Sequence, residues 1–115
     1  MGKHVAIVIR RTPFNSEHNS EALRMGVGLT TGDNRVSVIF LDDGVLTLSR
    51  LQPAVIAADD VGKHLEACEM LGVRLVADEQ ALRRHAVGQP AVRVEAAPFA
   101  ELCQLLATAD VIIPF

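Results

Sequence analysis

Solid apolar runs alternate along the chain with stretches in which apolar residues recur at helical spacing. Val5 to Ile9 is continuous and β-branched, the pattern of a strand buried on both faces. It stops at Arg10-Arg11, and Thr12-Pro13-Phe14-Asn15-Ser16 reads as a loop, because proline fixes φ and removes a donor. From about Glu17 to Thr30 a helix follows, with Ala22, Met25, Gly26 and Leu29 as its apolar stripe and Gly32-Asp33-Asn34 as its stop. Val36 to Leu41 is the second strand, ended by Asp42-Asp43-Gly44. Val45 to Leu51 reads as a short helical turn broken by Pro53. The next helix spans about Asp59 to Leu71, with acids in its first turn and Val61, Leu65, Cys68 and Leu71 on one face. Gly72 closes it, Val73 to Ala77 is the third strand, and Asp78 opens a short helix from Glu79 to His85.

The remainder is read the same way. Gly88-Gln89-Pro90 is a loop, Val92 to Val94 a short fourth strand, and Pro98 the start of a helix whose inward stripe is Phe99, Leu102, Cys103 and Leu106. Asp110 to Ile113 is the last strand. Apolar strands joined by amphipathic helices require crossover units. The expected fold is therefore α/β: a three-layer sandwich around a mostly parallel five-stranded sheet, one domain over 1–115.

Composition narrows the function. Lys and Arg number 11 against 14 Asp and Glu, a net charge of −3, with aromatics at 3%, all Phe. Neither a basic surface nor a stacking platform for nucleic acid follows from that balance. No apolar run approaches the roughly 20 residues of a membrane span. The start has too short an apolar stretch for a signal peptide, so a cytoplasmic location is expected. His4, His18, His64 and His85 form no pair with metal-ligand spacing, and Cys68 and Cys103 form no CxxC; no metal or cofactor is expected. Glycine-rich phosphate loops and the GxSxG elbow are absent. A receiver-type acidic pair fails too, since Arg10-Arg11 follow the first strand and no lysine comes after Lys63.

In open α/β sheets ligands bind beyond the carboxyl ends of the strands. The candidates for a strand-end pocket are therefore Arg10, Arg11, Asp42, Asp43 and Asp78. Each also has a plain structural role: Asp78 as a helix cap, Asp42-Asp43-Gly44 as a turn, the arginines as a solvated strand end. Cys68 and Cys103 both fall on helical stripes, where a free cysteine acts as a small hydrophobe. Glu66 and Glu69 beside Cys68 are expected to oppose thiolate formation.

The ordered set Ile7-Val8-Ile9-Arg10-Arg11-Thr12-Pro13-Phe14, Glu21-Ala22-Leu23-Arg24, Val38 to Val45, Leu65 to Val73, Ala81-Leu82-Arg83-Arg84 and Ala109 to Phe115 resembles the DsrE/DsrF sulfur-relay family, nearest its DsrF/TusC-like branch. The resemblance implies persulfide handling and assembly into homomeric or mixed trimers or hexamers, with cysteine-bearing homologues as partners. It also implies a sulfur-carrying cysteine at the end of the third strand, before a short helix ending in a basic pair. Setting Ala81-Leu82-Arg83-Arg84 on that helix puts the cysteine slot at Ala77, with Asp78 next. Neither residue is a nucleophile, and the helix ends in His85-Ala86 in place of the family's glycine. The expectation is a non-catalytic, oligomer-forming subunit. Its rivals are a carrier using Cys68 or Cys103 and a small-ligand binding module.

Overall fold

The computed structural model describes residues 2–10, 18–48, 56–87 and 92–115, with side chains from 21 onward in the first helix and from 63 onward in the second. Arg11, the loop at 12–16, Leu51, Pro53 and Gly88-Gln89-Pro90 lie outside the described residues. So does the side chain of Val61.

Five strands form one sheet: β1 (His4–Ile9), β2 (Arg35–Phe40), β3 (Arg74–Asp78), β4 (Glu95–Ala97) and β5 (Val111–Pro114). Their order is β4-β3-β2-β1-β5, and every pairing is parallel. Parallel neighbours need crossovers, supplied by α1 (His18–Leu29), α2 (Ile56–Met70), α3 (Glu79–Arg84) and α4 (Phe99–Ala107). All six residues of β1 are buried: its apolar run Val5–Ile9 lies between β2 and β5 in a sheet covered on both faces, and His4 is buried with it.

Alternation along the strands divides the core in two. Ile7, Ile9, Val38, Phe40 and Leu75 face α1 and α2, where Ala22, Leu23, Leu65 and Cys68 meet them. Ala6, Ile39, Val76 and Ala97 face the other way, onto Leu102 of α4. The sandwich is thus uneven, with two long helices on one face and one on the other.

Several expectations are corrected. In α1 the buried pair is Ala22-Leu23 with Gly26, while Met25 is exposed, because the helix face laid on the sheet runs through Gly26, next to Ile7 and Val38. Leu71 is exposed because α2 has already ended at Met70. On α4 only Leu102 is fully buried, with Leu105 and Leu106 partly covered; Phe99 and Cys103 face outward. The fourth strand lies at 95–97 and not at 92–94. Arg93 there gives its backbone N–H to Glu69 Oε2 at 3.1 Å, a side chain of α2, so this stretch bonds to a helix before the chain reaches the sheet edge. The last strand runs one residue later than expected, because Asp110 is used as an anchor: its carboxylate accepts the His4 N–H at 2.8 Å and its N–H donates to the His4 carbonyl.

Among the described residues, no helix is long and apolar enough to cross a membrane.

Candidate functional site

The chain runs from β1 away to β4 on one side and returns to β5 on the other, so the switch in direction falls at the carboxyl end of β1. Arg10 stands at that end. Leu41 N–H donates to the Ile9 carbonyl, and Gly44 packs so tightly there that an added Cβ would overlap the Ile9 carbonyl oxygen. Glycine is therefore required at 44 for close approach, and it brings the short 3₁₀ segment Asp42–Leu48 against the end of β1. Asp42 takes a left-handed φ of 48°, a conformation that aspartate tolerates better than most residues.

Three basic side chains converge on the two aspartates of this turn. Arg10 Nε lies 3.2 Å from Asp42 Oδ2, and Arg84 Nη2 approaches Asp42 Oδ1 at 4.0 Å. His85 Nε2 sits 3.0 Å from Asp43 Oδ1. Asp42 is thus held between two guanidiniums from different crossovers. The participants are about half exposed or more, except His85 at 24%. Pairs so open contribute roughly 0–1 kcal/mol each, so the cluster orients charge more than it stabilises the fold.

Arg84 and His85 were not among the residues expected here. Their position follows from the length of α3: six residues rise only about 9 Å, too short to run back along the sheet. The helix therefore ends near the rim where it began. A short helix ending in a basic pair was the available signal.

Asp78 is placed differently. It is buried at the end of β3, and its Oδ1 accepts the Gln80 N–H at 3.1 Å, capping α3. It joins none of the ion pairs above, so its role is the structural one. Ala77 is fully buried with its methyl in the α1–α2 side of the core. The end of β3 therefore carries a methyl in the interior and a carboxylate engaged as a cap.

The two thiols also separate. Cys68 is fully buried, its Sγ 3.7 Å from the Leu23 carbonyl oxygen, and burial pushes the thiol up to about 11. Burial, not the neighbouring glutamates, is the cause. Cys103 is exposed, contrary to the stripe expected of α4. Among the described residues, no group of three or more His, Cys, Asp or Glu is placed to hold a metal ion.

The model of the DsrE/DsrF-like family matches residues 3–115. The chain belongs to the DsrE/DsrF-like family. Among solved structures it is similar to the YchN protein from E. coli, with a TM-score of 0.85 and 21% identity over 100% of both chains. At that identity the likeness shows a shared fold. No curated protein matches. Membership in the DsrE/DsrF-like family supports a role related to sulfur relay in general terms.

Proposed function

We propose that this chain is a non-catalytic DsrE/DsrF-like subunit or accessory factor in intracellular sulfur relay, assembling with itself or with cysteine-bearing homologues. The observation that carries the reading is the carboxyl end of β3, where Ala77 is interior and Asp78 caps α3. A carboxylate at that helix start repels a thiolate or persulfide anion, and no nucleophile stands in its place. The Arg10–Asp42–Arg84 cluster offers a charged strand-end surface to a partner. Exposed Met70, Leu71, Phe99 and Ile112 offer apolar contact area.

The test is native mass spectrometry of the pure chain, then of the chain mixed with a cysteine-bearing homologue and a persulfide donor. The expected outcome is a homomeric or mixed assembly, with transferable sulfane sulfur on the homologue alone. A stable monomer that captures no homologue would reject the subunit role.

The exposure of Cys103 favours one rival, a thiol carrier acting through that residue and not through Cys68. Sulfane sulfur acquired by Cys103 and passed to an acceptor, and lost in Cys103→Ser, would establish it.

A further inference from the structure

The opposite rim of the sheet, where the strands begin, holds a cavity of about 360 Å³ between the starts of β1, β2 and β3 and the ends of α1 and α2. Two of its lining side chains, His4 and Ser37, are polar and buried, at 8% and 4% exposure. The register pairs Ala6 with Ser37, so His4, two residues before Ala6 on the same face, sits diagonally beside the serine. His4 Nε2 and Ser37 Oγ are 3.0 Å apart.

Counting protons shows what this pair lacks. A neutral imidazole carries one N–H and the serine one O–H, and their mutual contact uses one of the two. If Ser37 donates to Nε2, the proton on Nδ1 is left over; if Nε2 donates, the hydroxyl proton is left over. Neither side chain has another partner among the described residues. In either tautomer one buried donor therefore lacks a protein acceptor among the described residues and turns to whatever occupies the cavity, water or a ligand.

The rest of the lining is also rich in donors. Arg35 has no ion pair among the described residues. Arg74 lies on the far side of Ser37 in register, bonded through Nε and Nη2 to Glu95, whose carboxyl it holds below the ordinary range. Asp33 is the one acidic side chain of the lining and is exposed; Glu95 already pairs with Arg74, so Arg35 is the guanidinium of the lining that an anion would face. The helix-end carbonyls that would suit a cation are already occupied. Thr30, Thr31 and Asn34 bond those of Val27, Gly28 and Leu29, and the turn after α2 bonds those of Cys68 and Glu69.

We propose that this cavity binds a small oxyanion, the carboxylate or phosphate group of a metabolite-sized ligand, which accepts a hydrogen bond from the leftover donor of the His4–Ser37 pair and faces Arg35. Hydrolytic use of the pair is disfavoured by its geometry. The carboxylate of Asp110 holds the backbone N–H of His4 and so does not orient the ring. The site is on the far rim from Arg10 and Asp42, so it stands or falls separately from the reading above.

The experiment is a titration of the full chain with inorganic phosphate and, separately, with succinate, at ionic strength held constant by chloride. NMR shifts of His4 and Ser37 provide the readout. Saturable shifts at both residues with either anion are expected, and the anion that saturates identifies the ligand class. Ser37→Ala and Arg35→Gln should each weaken binding about tenfold or more, as loss of a charge-assisted bond does, while Arg10→Gln leaves it unchanged. Arg35 is exposed, so that variant decides the matter even if Ser37→Ala fails to fold. Absence of saturation with both anions, or binding unaltered in Arg35→Gln, would overturn the proposal.

Discussion

Ala86 occupies a position built for glycine. It follows α3 with a φ of 55°, its N–H donates to the Arg83 carbonyl, and the Val87 N–H donates to the Leu82 carbonyl at 2.9 Å. That paired closure, with Val87 packed against the core near Leu82, is the same one that ends α2, where Gly72 holds the left-handed position at φ 77°. The Cβ of Ala86 makes its turn strained. Ala86→Gly should therefore stabilise the protein by about 1 kcal/mol, seen as a rise of roughly 4 °C in Tm, whereas Gly72→Ala should lower it. Cys68 gives a second prediction at this scale. Its folded thiol is raised from 9.0 to about 11, so the proton is retained in the folded chain after the unfolded chain has lost it. The stability tied to this group is intact below about pH 9 and is lost as pH rises toward 11, with a slope of up to about 1.4 kcal/mol per pH unit. Urea unfolding at pH 8 and pH 10.5 should show that loss, and Cys68→Ala should reduce it; an unchanged pH dependence in Cys68→Ala would contradict the assignment.

At the scale of the element, α4 carries its face of the sheet nearly alone. Leu102 is its fully buried residue, packed with Ala6, Ile39 and Val76, while Phe99 one turn earlier is 55% exposed. Leu102→Ala should cost about 2–4 kcal/mol and Phe99→Ser less than about 0.5 kcal/mol, measured by chemical denaturation. The pattern of residues foretold that α4 exists, but not which way it rolls. Phe99, Leu102, Cys103 and Leu106 make a good helical stripe, yet a single helix over a wide sheet can bury a narrower strip, and the packing selects Leu102, Leu105 and Leu106. The same limit explains Met25 in α1. Strands were clearer, because runs such as Val5–Ile9 and Val36–Phe40 leave no choice of face. The short β4 was displaced because Val92 and Val94 pack against the core as part of a connector.

At the scale of the molecule, the alternation of elements was sufficient for the parallel α/β architecture, whereas the strand order needed long-range pairing to be known. The charge cluster shows the same division. Arg10, Asp42 and Asp43 could be named as strand-end residues, but their meeting with Arg84 and His85 depends on where a short helix stops. The His4–Ser37 pair was not foreseen, since the two residues are 33 apart and only the register brings them together. The order of the sheet also bears on how the chain is made. β1 sits between β2 and β5, and its link to Asp110 spans 106 positions. While the polypeptide emerges from a ribosome, one edge of the first strand stays open until 111–114 have been added, a slow, non-local closure. Until then a row of unpaired backbone N–H and C=O groups on an apolar strand is available to any other nascent segment, the condition under which misassembly competes with folding.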